Sequence, residues 1–203
     1  MNNSKKIGIF GGTFDPPHIG HLIIAEKARE QLGLSKIYIM PTGNPGYKER
    51  NDISPKSMRI HMVKLAINNN PYFSFSDVEL KREGIIYTSD TLQIIHNENP
   101  DCEIYFVMGG DSLKNILSWH EPDKIFNLCT LAVTCRDDIS HDKLQDLIQD
   151  LKMNYGAKIE MLDIPLLDIS SSDIRNMVKS GHSIKYYVTD DTLNYIKESG
   201  LYL

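Results

Sequence analysis

The feature that most limits what this chain can fold into is a rhythm: short β-branched runs alternate with amphipathic stretches along nearly its whole length. Lys6–Phe10 (KIGIF) and Lys36–Met40 (KIYIM) read as strands, the first ending at Gly11-Gly12 and the second at Pro41. Phe73–Val78, Glu103–Met108 (EIYFVM), Thr130–Thr134 and Ala157–Leu162 continue the series. Between them lie helical patterns: Gly20–Leu32 closed by Gly33, a helix opening at Pro55 behind a Ser54 cap, Asp90–Asn97, and His141–Asn154. Two short helices, Ser172–Lys179 and Asp190–Glu198, close the sequence. Strands separated by helices predict a mainly parallel sheet covered on both faces, the doubly wound α/β fold. No repeat or Gly/Ser-rich linker divides the 203 residues, so one domain is expected, with 163–203 a small helical C-terminal portion.

That fold places ligands outside the carboxyl ends of the strands. Residues that follow strands are therefore the candidates for chemistry. Composition narrows the ligand. A formal net charge of −5 argues against bulk nucleic-acid binding, which needs a basic stripe, but leaves room for a small anion in a focused cleft. No apolar run nears the roughly 20 residues a membrane span needs, and MNNSKKIGIFGG lacks a signal-peptide core. The three cysteines, Cys102, Cys129 and Cys135, show no CxxC spacing, so buried reduced thiols in a cytoplasmic protein are expected, with neither disulfide nor zinc.

After the first strand stands Gly11–His21, GGTFDPPHIGH. Glycines there let backbone amides approach phosphate oxygens, although neither GxGxxG nor GxxxxGK[ST] is present. His18 and His21, three apart on an incipient helix, share a face, with Gly20 between them leaving room for a ligand. At a helix N-terminus the macrodipole adds to two imidazole donors. For HxGH alone, a surface or capping role stands level with function; Asp15, the glycines and the preceding strand favour function. Far along the chain, ISSSDIR (Ile169–Arg175) forms a second polar turn into a helix, with Ser171 or Ser172 as cap and Arg175 able to fork onto phosphate.

The two segments together resemble the signatures of the HxGH nucleotidyltransferase superfamily, in its order and about 150 residues apart. The resemblance implies a Rossmann-like nucleotidyltransferase fold. PTGNPGYK (Pro41–Lys48), YTSDT (Tyr87–Thr91), GGD (Gly109–Asp111) and Ser118-Trp119 extend the likeness to bacterial nicotinate-nucleotide adenylyltransferases over essentially the whole chain. It implies adenylyl transfer from ATP to nicotinate mononucleotide, with Mg²⁺ accompanying the ATP and no dedicated protein metal ligands. His18, His21, Lys48 and Arg175 would be the catalytic set. Gly11, Gly12, Thr13, Phe14, Gly109, Asp111, Ser171 and Ser172 would join both histidines and Arg175 around ATP. Asp15, Lys48, Thr88, Trp119 and His120 would receive the nicotinate nucleotide, Thr88 and His120 through backbone amides and Trp119 by stacking.

Other readings stay open for single residues: Trp119 as core, Lys48 as a solvated loop lysine, Asp111 as a helix cap. Gly46-Tyr47 and His120 depart from the family, which usually has a proline and histidine before the lysine and a tyrosine after the tryptophan. Transfer to nicotinamide mononucleotide or phosphopantetheine, cytidylyl transfer, or a non-catalytic nucleotide sensor on the same fold are the rival functions. Oligomeric state is not written in the sequence.

Overall fold

Alternate residues of the central strands point to opposite faces, and both faces are apolar, so the sheet must be covered twice. In the computed structural model, which describes residues 4–43, 53–134, 141–165 and 167–203, that is the arrangement found. Ile104, Phe106 and Met108 enter one hydrophobic cluster, while Tyr105 and Val107 enter the other. Leu131 and Val133 divide from Ala132 in the same way.

Six parallel strands form the sheet: β1 (Lys5–Gly12), β2 (Lys36–Pro41), β3 (Phe73–Phe75), β4 (Cys102–Gly109), β5 (Thr130–Thr134) and β6 (Lys158–Leu162), in the order β3-β2-β1-β4-β5-β6. Helices α1 (Ile19–Leu32) and α2 (Lys56–Ile67) cover one face, through Ile24, Ala25, Ala28, Val63 and Ile67. Helices α3 (Thr88–Glu98), α4 (Gly110–Lys114), α5 (Pro122–Leu128) and α6 (His141–Tyr155) cover the other, α3 with Leu92 and Ile95 and α6 with Leu144, Ile148 and Leu151. The doubly wound expectation holds. Strand order reverses between β1 and β4, so the crevice at their carboxyl ends, Gly12 and Gly109, is the topological switch point.

Helices α7 (Ser171–Lys179) and α8 (Asp190–Glu198) share a third cluster in which Ile174, Ile184, Val188, Leu193, Ile196 and Leu201 pack with Met62 of α2. The C-terminal portion is thus bound to the body of the fold through α2.

Several boundaries moved, each for a local reason. Ser54 does not cap α2: Pro55 holds the N-cap position, and the Ser54 N–H donates to Asp15 Oδ2 at 2.9 Å. Ser170 caps α7, accepting from the Asp173 N–H, which frees Ser171 and Ser172 for other work. The third strand ends at Phe75, after which the chain turns so that Glu79 can point inward. Helices α4 and α5 and the 3-10 turn Ile116–Ser118 were not expected. They are too short to display a period, and α5 starts where Glu121 takes φ 51° ahead of Pro122. Cys129 is buried, and burial pushes its thiol up to about 12. Cys102 is only half-buried, and Cys135 lies outside the described residues.

Candidate active site

The turn that leaves β1 is shaped by aromatic packing. Phe14, with φ 51° and only 1% exposed, meets the rings of Phe10 and His21 edge-on at 5.7 and 4.9 Å. A Cβ at Gly12 would fall 3.0–3.2 Å from the Phe14 ring, and one at Gly20 would fall 3.0 Å from His18 Nδ1. Those two glycines make room for the Phe14 ring and the His18 imidazole, which hold the turn.

His18 is the N-cap of α1, in extended conformation at φ −134°, and its side chain is 3% exposed. Its ring stacks on that of His21, centroids 3.6 Å apart and planes 28° from parallel. The His18 N–H donates to His21 Nδ1 at 3.2 Å. A neutral His21 accepting there carries its proton on Nε2, so that nitrogen is the donor presented away from the turn.

The tertiary structure brings both signatures to one place. A cavity of about 330 Å³ is lined by Thr13, Phe14, His18 and His21 from the first and by Ser170, Ser171, Ser172 and Arg175 from the second. The join is made by hydrogen bonds onto backbone carbonyls: Arg175 Nη1 donates to Asp15 O at 2.8 Å and Ser171 Oγ to Pro16 O at 2.8 Å. Arg175 Nη2 lies 3.4 Å from Ser172 Oγ. Two stacked imidazoles, a guanidinium and two helix N-termini converging on one cavity form an anion site.

Asp15 lines this cavity but is 2% exposed. Its Oδ1 accepts from Tyr202 Oη at 2.6 Å and its Oδ2 from the Ser54 N–H. A carboxylate engaged on both oxygens holds the turn to Ser54 and Tyr202 from within the protein.

A second group gathers at α3 and α5. Thr88 opens α3 directly after Tyr87, whose ring lies 4.1 Å from that of His120. Lys124 bonds Asp90 Oδ1 at 3.3 Å and Glu121 Oε2 at 3.1 Å, tying the segment after Trp119 to α3. Trp119 is half-buried, edge-on to Phe106 at 6.4 Å, so it is neither wholly core nor free. Thr88, Trp119 and His120 are thus neighbours in the fold. Gly109 and Asp111 follow β4 at the switch point. Gly109, not Asp111, is the N-cap of α4; the Asp111 carboxylate is exposed, with Lys114 Nζ at 3.5 Å. Lys48 and its neighbours Gly46 and Tyr47 lie outside the described residues.

Two buried charges were missed by sequence reasoning. Arg59, 6% exposed on α2, donates from Nη1 to Thr13 O at 2.9 Å and from Nη2 to Thr42 O at 3.2 Å, pinning the chain just beyond β1 and β2. Burial lowers its pKa, opposed by the nearby Asp15. Glu79, also 6% exposed, accepts from the Gly43 N–H at 3.1 Å and from Thr91 Oγ1 at 3.2 Å, linking the start of the loop after β2 to α3. Their sequence contexts, MRIHM and DVELK, read as ordinary solvated positions, so no signal pointed to them.

Burial raises the Glu79 carboxyl above its ordinary range, against the lowering effects of the Gly43 amide, Thr91 and Arg82. Between its unfolded and folded pKa the native state holds more proton than the unfolded one, so stability falls as pH rises through that window. Glu79→Gln removes this dependence. Thermal melts from pH 4.5 to 7.5 should show the variant's Tm gaining on the parent's as pH rises; parallel curves would refute the assignment.

A parallel sheet with both signature turns joined around one cavity is the arrangement of a nucleotidyltransferase, and the family model described as cytidylyltransferase-like matches residues 9–177. Two curated relatives carry the name "Probable nicotinate-nucleotide adenylyltransferase". The one from Lachnoclostridium phytofermentans is 41% identical over 98% of this chain and 100% of its own. That from Dehalococcoides mccartyi (strain ATCC BAA-2266 / KCTC 15142 / 195) is 42% identical over 98% of each. The chain belongs to the nicotinate-nucleotide adenylyltransferase family. Its fold is also that of Plasmodium falciparum nicotinic acid mononucleotide adenylyltransferase. The complex of that protein with NaAD superposes at a TM-score of 0.81, with 24% identity over 98% of this chain and 97% of the other. Its complex with APC gives a TM-score of 0.79, with the same identity and coverage.

Proposed function

We propose that this chain transfers the adenylyl group of ATP to the 5′-phosphate of nicotinate mononucleotide, producing deamido-NAD and pyrophosphate in NAD biosynthesis. The observation that carries the proposal is the single cavity lined by His18, His21 and Arg175, in a chain that matches relatives of that name over 98% of its length. A phosphate oxygen of the acceptor attacks the α-phosphorus; the new P–O bond forms as the bond to the bridging oxygen of pyrophosphate breaks. A phosphate monoester is already anionic near neutral pH, so no general base is needed, and catalysis consists of positioning and charge stabilisation.

His21 Nε2–H and the His18 imidazole serve the α-phosphate, with amides of Gly11–Phe14 beside them. Arg175, Ser171 and Ser172 hold the β- and γ-phosphates, Lys48 engages phosphate on the nicotinate-nucleotide side, and Gly109 and Asp111 meet the adenylyl side. The Thr88 and His120 amides and the Trp119 ring receive the pyridine carboxylate and ring. Among the described residues no group of three or more His, Cys, Asp or Glu is placed to hold a metal. Mg²⁺ accompanying the ATP would take its hard oxygen ligands chiefly from the triphosphate and water, and would neutralise phosphate charge there.

Among the described residues no helix is long and apolar enough to cross a membrane. Cys102 and Cys129 are free thiols, a state a reducing cytoplasm preserves.

Pyrophosphate release tests the proposal, with ATP, Mg²⁺ and nicotinate mononucleotide compared against nicotinamide mononucleotide and phosphopantetheine, and CTP against ATP. The expected result is a kcat/KM for the acid at least about tenfold above that for the amide, because amide donors aimed at a carboxylate lose a partner to an NH₂ group. Higher turnover with another acceptor, or with CTP, would replace this reading. No pyrophosphate with any pair would leave a nucleotide sensor.

A further inference from the structure

Tyr202 lies 187 positions from Asp15 in sequence, yet its Oη donates to Asp15 Oδ1 at 2.6 Å. Its backbone takes φ 68°, a region a bulky L-residue enters only where surrounding contacts over-determine it. Those contacts are visible. The Leu201 N–H bonds Ile196 O at 3.1 Å, Leu201 is buried in the cluster of α7 and α8, and Tyr202 Oη also approaches Met62 Sδ at 3.7 Å. The strained turn therefore serves to aim one phenol at one carboxylate. Burial, followed by the bond to Asp15, raises the phenol's pKa, so it remains a donor at any physiological pH.

Asp15 is where three pieces of chain far apart in sequence meet in hydrogen bonds. Its carboxylate takes Tyr202 from the C-terminal portion and the Ser54 N–H from the start of α2's approach, and its carbonyl takes Arg175 from α7. Pro16 O next to it takes Ser171, and the Ile19 N–H donates to Tyr187 O at 2.8 Å. Every residue from Asp15 to the histidine pair is thus bracketed by bonds to residues beyond 170. Among the described residues, Ser54 bonds the carboxylate with its backbone N–H and Tyr202 with a side-chain hydroxyl.

We infer that Tyr202 is a positioning residue of the transfer reaction, holding Asp15 so that the His18–His21 pair and Arg175 face the triphosphate in register. The inference rests on the adenylyl-transfer reading above. Catalytic geometry tolerates little displacement, so loss of this restraint shows in kcat more than in ground-state binding.

The test compares Tyr202→Phe, Asp15→Asn and their double mutant with Leu193→Ala, a residue of the same cluster on the body of α8. Tyr202→Phe should unfold cooperatively, lower kcat at least about tenfold and move the KM for ATP less than about threefold. The double mutant should be no worse than the more damaged single. Leu193→Ala should lower Tm while keeping the parent's kcat. The ¹⁵N resonances of the His18 and His21 rings should shift in Tyr202→Phe and not in Leu193→Ala, a readout that needs no turnover. Parent-like kcat and imidazole resonances in Tyr202→Phe, or kcat losses that add in the double mutant, overturn the inference. A parent without turnover overturns the proposed reaction, and the resonances then decide for or against the restraint on their own.

Discussion

Replacing His18 with alanine is expected to lower kcat by about 10²–10³-fold, the usual cost of deleting one preorganised donor from a site where charge develops. The structure makes this a clean experiment. The role of His18 as N-cap of α1 uses its extended backbone, which alanine can adopt, and its N–H, which would still donate to His21 Nδ1. His21 keeps that backbone donor on Nδ1 and its edge-on contact with Phe14, while it loses the stacked His18 ring. Arg175 and Ser171 hold the turn through Asp15 O and Pro16 O, contacts the substitution does not touch. Steady-state pyrophosphate release should show the loss in kcat, with the KM for ATP changed much less and an unchanged circular-dichroism spectrum. A kcat within about threefold of the parent would remove His18 from the mechanism.

Arg59→Met should damage stability and activity together. Methionine retains most of the buried stem's volume, so cavity formation is small. What disappears is the charged donor to Thr13 O and Thr42 O, leaving both carbonyls short of partners below the site. Hydrogen bonds from charged groups contribute about 1.5–3 kcal/mol each, so a loss of about 3 kcal/mol is expected. For a chain of this size that corresponds to a fall in Tm of roughly 6–12 °C. Thr13 lines the anion cavity, and its backbone would drift without the guanidinium, so kcat should fall as well. Chemical denaturation and turnover below the transition temperature separate the two effects. A variant as stable as the parent would mean that water satisfies both carbonyls and that Arg59 does not support the turn.

Much of this architecture can be read from the chain because local rules carry it. The two-face alternation of Ile104–Met108 and Leu131–Val133 is a sheet covered twice, and a β-strand leading through glycines to HIGH is a helix N-terminus at a strand's carboxyl end. These depend on periodicity and backbone preference within a few residues. The short helices α4 and α5 escaped because five and seven residues are too few to show a period. Ser54 was misplaced as a cap for a different reason: Pro55 takes the N-cap position, and Ser54 is tied instead by its backbone N–H to Asp15, 39 positions away. Ser170 took the cap of α7 in place of Ser171, whose hydroxyl is drawn to Pro16 O, 155 positions away.

The sequence by itself determined the fold class, the two signature turns and the family, since each is written in contiguous residues or in their order. Only the tertiary structure decided that Gly12 and Gly20 serve the rings of Phe14 and His18, that Asp15 faces inward, and that Arg59, Glu79 and Tyr202 support the site. Those outcomes turn on buried polar groups finding partners. An isolated arginine, glutamate or tyrosine in a sequence looks solvated until folding removes the water and leaves a particular carbonyl or carboxylate as the one partner within reach.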